Sequence, residues 1–113
     1  MNKVLILKSK KYAKQLDVIK NKWSSWCQNV EVVDKPFVDG VDDLGSRLKA
    51  RSWWDDVVAD ADSNDLVCVV CPEDLHPALR LCLECVRFKC NLQVAIPIFD
   101  KRGEETHTIF FYN

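Results

Sequence analysis

Four cysteines stand at the spacing of a zinc ribbon: Cys68 with Cys71, Cys82 with Cys85, and ten residues between the pairs. Four thiolates converging on one tetrahedral point would hold a structural zinc ion. In ribbons each pair sits on a tight, glycine-bearing turn, and neither pair here has a glycine beside it. The first pair lies in Leu66-Val67-Cys68-Val69-Val70-Cys71, an apolar and β-branched run that reads as a buried strand, on which positions 68 and 71 point to opposite faces. The second lies among good helix formers from Leu79 to Val86, where Cys82 and Cys85 share an apolar face and behave as small hydrophobes. Core packing is the favoured reading, and no metal is expected. A domain stabilised by zinc through Cys68, Cys71, Cys82 and Cys85 is the minor alternative.

Glu84 is the other group with chemistry. The spacing predicts a helix from Ala78 to Cys90 that is apolar over most of its circumference, with Arg80, Glu84 and Arg87 at i, i+4 and i+7. One reading is an ion-paired solvent stripe worth a few tenths of a kcal/mol per pair. The other is a carboxylate kept ionised by flanking guanidiniums in a cleft, able to stabilise a developing cation or attack an electrophilic carbon. The two histidines add little: His107 alternates with Ile109 and Phe111 as a strand residue, and His76 precedes Pro77 at a helix start. Cys71 and His76 flank one loop, but nothing orients the imidazole as a nucleophile's base. The zinc-deaminase pattern is absent, because no HxE precedes a PCxxC.

Around these residues the chain has the balance of an ordinary globular protein, 48% apolar and 29% charged, so disorder is not expected. Its 113 residues suit a single α/β domain spanning 1–113. No apolar run reaches the roughly 20 residues of a membrane span, and the first residues are too short for a signal sequence, which together predict a cytoplasmic protein. Six cysteines then read as thiols. Seven lysines and one acid occupy 1–22, whereas 31–65 holds ten acids and four bases. The complementary signs fit pairing between neighbouring surfaces, or else a basic face for an acidic or phosphate-bearing partner. With net charge −1 and no arginine-rich stripe, nucleic acid is not an expected partner.

The predicted elements alternate. Lys3 to Leu7 is a strand; Ala13, Leu16, Ile19, Trp23, Trp26 and Cys27 form one stripe of a helix; Val30 to Val33 is a second strand. Leu44 and Leu48 mark a short helical turn, and Ser52 resembles the cap of a separate helix carrying Val57, Val58 and Ala61. Leu66 to Cys71, Leu92 to Phe99 and Thr106 to Tyr112 are further strands, the last an antiparallel edge after a turn at Lys101-Arg102-Gly103. Such alternation predicts a three-layer sandwich, a four- to five-stranded mostly parallel sheet of order 2-1-3-4(-5), flavodoxin-like. In these sheets ligands bind at the carboxyl ends of the strands where the order reverses. That edge collects Ser9, Lys10, Lys35, Cys71 and Asp74 as ligand-binding candidates. Neither GxGxxG nor GxxxxGK[ST] occurs, which disfavours a Rossmann fingerprint. Trp53 and Trp54 are adjacent and cannot share one helix face, so an indole there is a candidate for a protein interface.

The run Asp65 to Pro72, then Leu81-Cys82-Leu83-Glu84-Cys85, then Ile96-Pro97-Ile98-Phe99 is similar to Toll/interleukin receptor (TIR) domains and their nucleoside deoxyribosyltransferase-like relatives. The first strand followed by Ser9-Lys10-Lys11-Tyr12 resembles the opening of that family. Most of the chain threads this way, with Cys82, Glu84 and the Ile96–Phe99 strand as the specific elements. The resemblance implies that Glu84 matches the family's catalytic glutamate, which assists cleavage of an N-ribosyl bond in NAD or a nucleoside. Two functions follow. The preferred one is a small TIR-like adaptor that binds another protein, self-association included, without a cofactor. The alternative is a nucleotide-binding enzyme using Glu84, for which NAD or a nucleoside would be the substrate.

Overall fold

The apolar, β-branched runs of the sequence become strands in the computed structural model, which describes residues 3–33, 44–59, 65–71 and 93–111. These strands are β1 (Lys3–Leu7), β2 (Val30–Val33), β3 (Asp65–Val69), β4 (Gln93–Phe99) and β5 (Glu105–Phe111). They form one sheet in the order β2-β1-β3-β4-β5, parallel except for the antiparallel β4–β5 pair. Two α-helices are described, α1 (Leu16–Ser24), entered through a 3-10 turn at Ala13–Gln15, and α2 (Leu44–Ala59). The expected α/β class and the order 2-1-3-4-5 are both present. Among the described residues, no helix is long and apolar enough to cross a membrane.

Strand register builds the core. Val32, Ile6, Cys68, Ala95 and Phe110 are consecutive partners across all five strands. On that face Ile19, Trp23 and Cys27 pack with Val4, Ile6, Leu66, Cys68, Val70 and Ala95, and Tyr12, Leu16, Val30, Val32 and Phe99 close the margin. Trp23 meets Phe110 edge-on, with ring centroids 6.4 Å apart. Val67, Val69 and Val94 alternate to the other face of the sheet and are equally buried. On the β3 side the β4 ladder stops at Ala95, two residues before Pro97, whose nitrogen has no hydrogen to donate.

The turn from β4 to β5 depends on two residues. Asp100 Oδ1 accepts hydrogen bonds from the N–H groups of Arg102 (2.8 Å) and Glu104 (3.0 Å). Gly103 adopts φ +82°, so the backbone demands glycine; a Cβ there would meet only the movable end of the Gln15 side chain. Past the turn, the pairing shifts between Ile98 and Phe99: Ile98 opposes His107 but Phe99 opposes Glu105. This bulge turns Glu105 onto the face that Phe99 shares with α1, whereas strict alternation would place it with His107 and Ile109.

Several expectations need correction. β3 ends at Val69, short of Cys71. The first helix ends at Ser24; Cys27 N–H still bonds the Trp23 carbonyl at 2.9 Å and Cys27 is buried, but Trp26 is 73% exposed and Ala13 is exposed, so neither belongs to the apolar stripe. Leu44 to Ala59 is one helix, and Ser52 lies inside it rather than capping it. Arg51 and Asp55, 3.9 Å apart at i, i+4, bridge the expected break. Among the described side chains of α2, Ala50 and Trp54 are buried, while Leu44 and Leu48 are exposed. The helix expected over 78–90 lies outside the described residues.

Core and surface positions should respond differently to truncation. Ile6→Ala is expected to lower the unfolding free energy by about 2–5 kcal/mol, and Leu48→Ala by no more than about 0.5 kcal/mol. Urea titration of both variants checks the placement, and equal losses would contradict it.

Candidate functional site

The carboxyl ends of β1, β2 and β3 finish level. Leu7 pairs with Val33 on one side and Val69 on the other. β1 stands between its two parallel neighbours, so the order reverses between β1 and β3, the place where open α/β sheets take ligands. The Val70 N–H donates to the Leu7 carbonyl at 3.2 Å, carrying the β1–β3 contact one residue beyond the strands. Cys71 follows and is buried, but it is not part of the cluster under α1.

Ser9 follows β1 and is buried. Its Oγ accepts hydrogen bonds from the N–H groups of Lys11 (3.1 Å) and Tyr12 (3.4 Å), which starts the turn leading into the 3-10 segment. Lys11 lies over the Tyr12 ring at 5.4 Å, and that ring packs on Phe99 at 4.4 Å. The hydroxyl therefore organises the strand-to-helix loop. Lys10 is exposed, and none of Lys8, Ser9, Lys10 and Cys71 is without a partner. The structure thus brings Ser9, Lys10 and Cys71 to the ends of adjacent strands. Lys35, Asp74 and Glu84, with Arg80, Arg87, His76, Cys82 and Cys85, lie outside the described residues. Trp53 and Trp54 belong to α2, where Trp54 is buried and Trp53 half-buried.

A second polar cluster was not foreseen. Lys22 Nζ donates to Glu105 Oε1 at 2.5 Å and to Thr108 Oγ1 at 2.9 Å, and Thr108 Oγ1 donates to the same carboxylate oxygen. The ammonium also lies 5.1 Å from the centroid of the Trp23 ring. These bonds fasten α1 to β5. Lys22 reads from sequence as one more surface lysine, and only the bulge brings Glu105 within its reach. No period-two pattern encodes that shift.

Beneath this cluster Cys68 is fully buried. Burial pushes its thiol up to about 12; a side-chain hydrogen bond with Trp23 and the charge of Lys22 pull the other way, and the charge of Glu105 adds to the rise. Cys27 and Cys68 are free thiols. Among the described residues, no three His, Cys, Asp or Glu side chains are grouped to hold a metal. Compared with models of protein families, with curated proteins and with solved structures, the chain matches none.

Cys68 makes alkaline behaviour testable. In the unfolded chain its thiol ionises near 9.0, but in the folded chain only near 12. The native state then holds more protons between those values, so this contribution is complete below about pH 9 and is lost as pH rises toward 12. Urea titrations across the lower part of this window are expected to show a shallower loss of stability in Cys68→Ala than in the parent chain. Identical slopes would contradict the assignment. Iodoacetamide should label Cys68 only after unfolding, as peptide mapping would detect.

Proposed function

We propose that this chain is a TIR-like interaction module, a three-layer flavodoxin-like domain that acts in the cytoplasm by binding another protein. The observation that carries the reading is Trp26, an indole 73% exposed just past the end of α1. Exposed tryptophan is costly to leave in water and is enriched among residues that dominate binding. Leu44 and Leu48, exposed one turn apart on α2, and half-buried Trp53 are further apolar side chains that a second helix offers to a partner. Burial of Trp54 removes it from that set.

One observation favours a second reading. The reversal of strand order between β1 and β3, with Ser9 and Cys71 buried at its mouth, supports a ligand crevice to which Lys10, Lys35 and Asp74 would contribute. Under that reading Glu84 assists cleavage of an N-ribosyl bond in NAD or a nucleoside. Its carboxylate would lower the cost of an oxocarbenium-like transition state.

The readings separate experimentally. The full chain, immobilised and exposed to lysate of the cells that express it, is expected to retain a partner. Trp26→Ala should bind that partner about 30-fold more weakly, a loss of about 2 kcal/mol, while Lys20→Ala retains it. Chromatography of reactions with NAD and with nucleosides should reveal no released base. Steady base release abolished by Glu84→Gln, with capture indifferent to Trp26, would replace the interaction reading with the enzymatic one.

A further inference from the structure

β5 ends the sheet, and its outer edge pairs with no other strand among the described residues. Natural edges are usually blunted by proline, lysine, bulges, inward-pointing charge, a covering element or brevity. Glu105–Phe111, sequence ETHTIFF, has seven residues, no proline and no lysine, and its one bulge lies at the start. Its single acid is bound by Lys22. By contrast β2, the opposite edge, has four residues and an exposed glutamate, Glu31, paired with Lys3 at 3.5 Å. Ile109 and Phe110 are adjacent in β5, so they face opposite sides of the sheet, and they are 42% and 40% exposed. On α1, exposed Val18 stands one turn before Lys22, which reaches β5, so Val18 lies on the side of the helix that borders the same seam.

We infer that β5 is a self-association edge, which pairs antiparallel with β5 of a second copy and continues the sheet through a two-fold axis. This rests on the interaction reading and names its surface and partner. Identical strands pair antiparallel with full self-complementarity, so a second copy supplies the matching edge without further design. Centred on Thr108, the pairing sets His107 opposite Ile109 of the second copy and Thr106 opposite its Phe110, and Glu105 meets no like charge. A formal net charge of −1 leaves little long-range repulsion between copies. The contact runs about 23 Å along the strand, with Val18 of α1 beside it.

Sedimentation of the full chain from about 1 to 200 μM tests this. The expected result is a concentration-dependent shift from 13.0 kDa toward twice that mass, and rising hydrogen-exchange protection of amides in 106–110 over the same range. Ile109→Lys, at an exposed position, should weaken the dimer at least tenfold while circular dichroism stays unchanged. A parent chain at 13.0 kDa throughout overturns the inference, as does a dimer that persists undiminished in folded Ile109→Lys. Should that variant fail to fold, exchange on the parent chain decides: protection in 106–110 that is independent of concentration also overturns it. A monomeric chain that still captures another protein through Trp26 would leave the interaction reading standing and remove only edge pairing.

Discussion

One row of side chains, Val32, Ile6, Cys68, Ala95 and Phe110, crosses all five strands, and Trp23 is seated against it. Its centre is small, a thiol beside a methyl, and its flanks are larger. An indole needs such a recess. Dense packing leaves few alternatives, because a core that loses one large ring or gains a branched side chain loses contacts it cannot replace. Cys68 is therefore present as a small hydrophobe that also accepts a hydrogen bond from the indole. The same burial that suits packing keeps its thiol protonated.

From this seating the polar features follow. Trp23 holds α1 at a height from which Lys22 reaches β5, and the bulge at Phe99 turns Glu105 to meet it. A partly buried ammonium is tolerable only with its donors used, and here a carboxylate, a hydroxyl and an aromatic face share it. The neighbouring hairpin turn is fixed by the positive φ of Gly103 and by the two N–H groups that Asp100 accepts. With Glu105 bound by Lys22, the rest of β5 carries no acid and no lysine. Ser9 and Cys71 follow the level ends of adjacent strands β1 and β3, but Ser9 is already committed to shaping its loop.

Much of the fold was legible because β-branched runs have few other uses. Val30–Val33 matches the expected bounds, and the sheet order follows from alternation of strands and helices. Other features were hidden for identifiable reasons. Ser52-Trp53-Trp54-Asp55 imitates a capping box, yet the helix runs through it: Ala50 and Trp54, four residues apart on either side of the serine, are both buried. Trp26 fits a helical stripe only if α1 continues, and the chain leaves the helix at Ser24. Glu105 changes face by one inserted residue, which no hydrophobic pattern records. Of the candidate site, topology correctly grouped Ser9, Lys10 and Cys71 at adjacent strand ends, while Lys35, Asp74 and Glu84 lie outside the described residues.

The seating of Trp23 over Cys68 is best tested by a double-mutant cycle in urea. Cys68→Leu is expected to destabilise the parent chain by about 1–3 kcal/mol through overpacking. In a Trp23→Phe background, where the smaller ring leaves room, the same change should cost at least about 1 kcal/mol less. Additivity of the two substitutions within about 0.5 kcal/mol would mean that the side chains do not share a site, and would contradict the account.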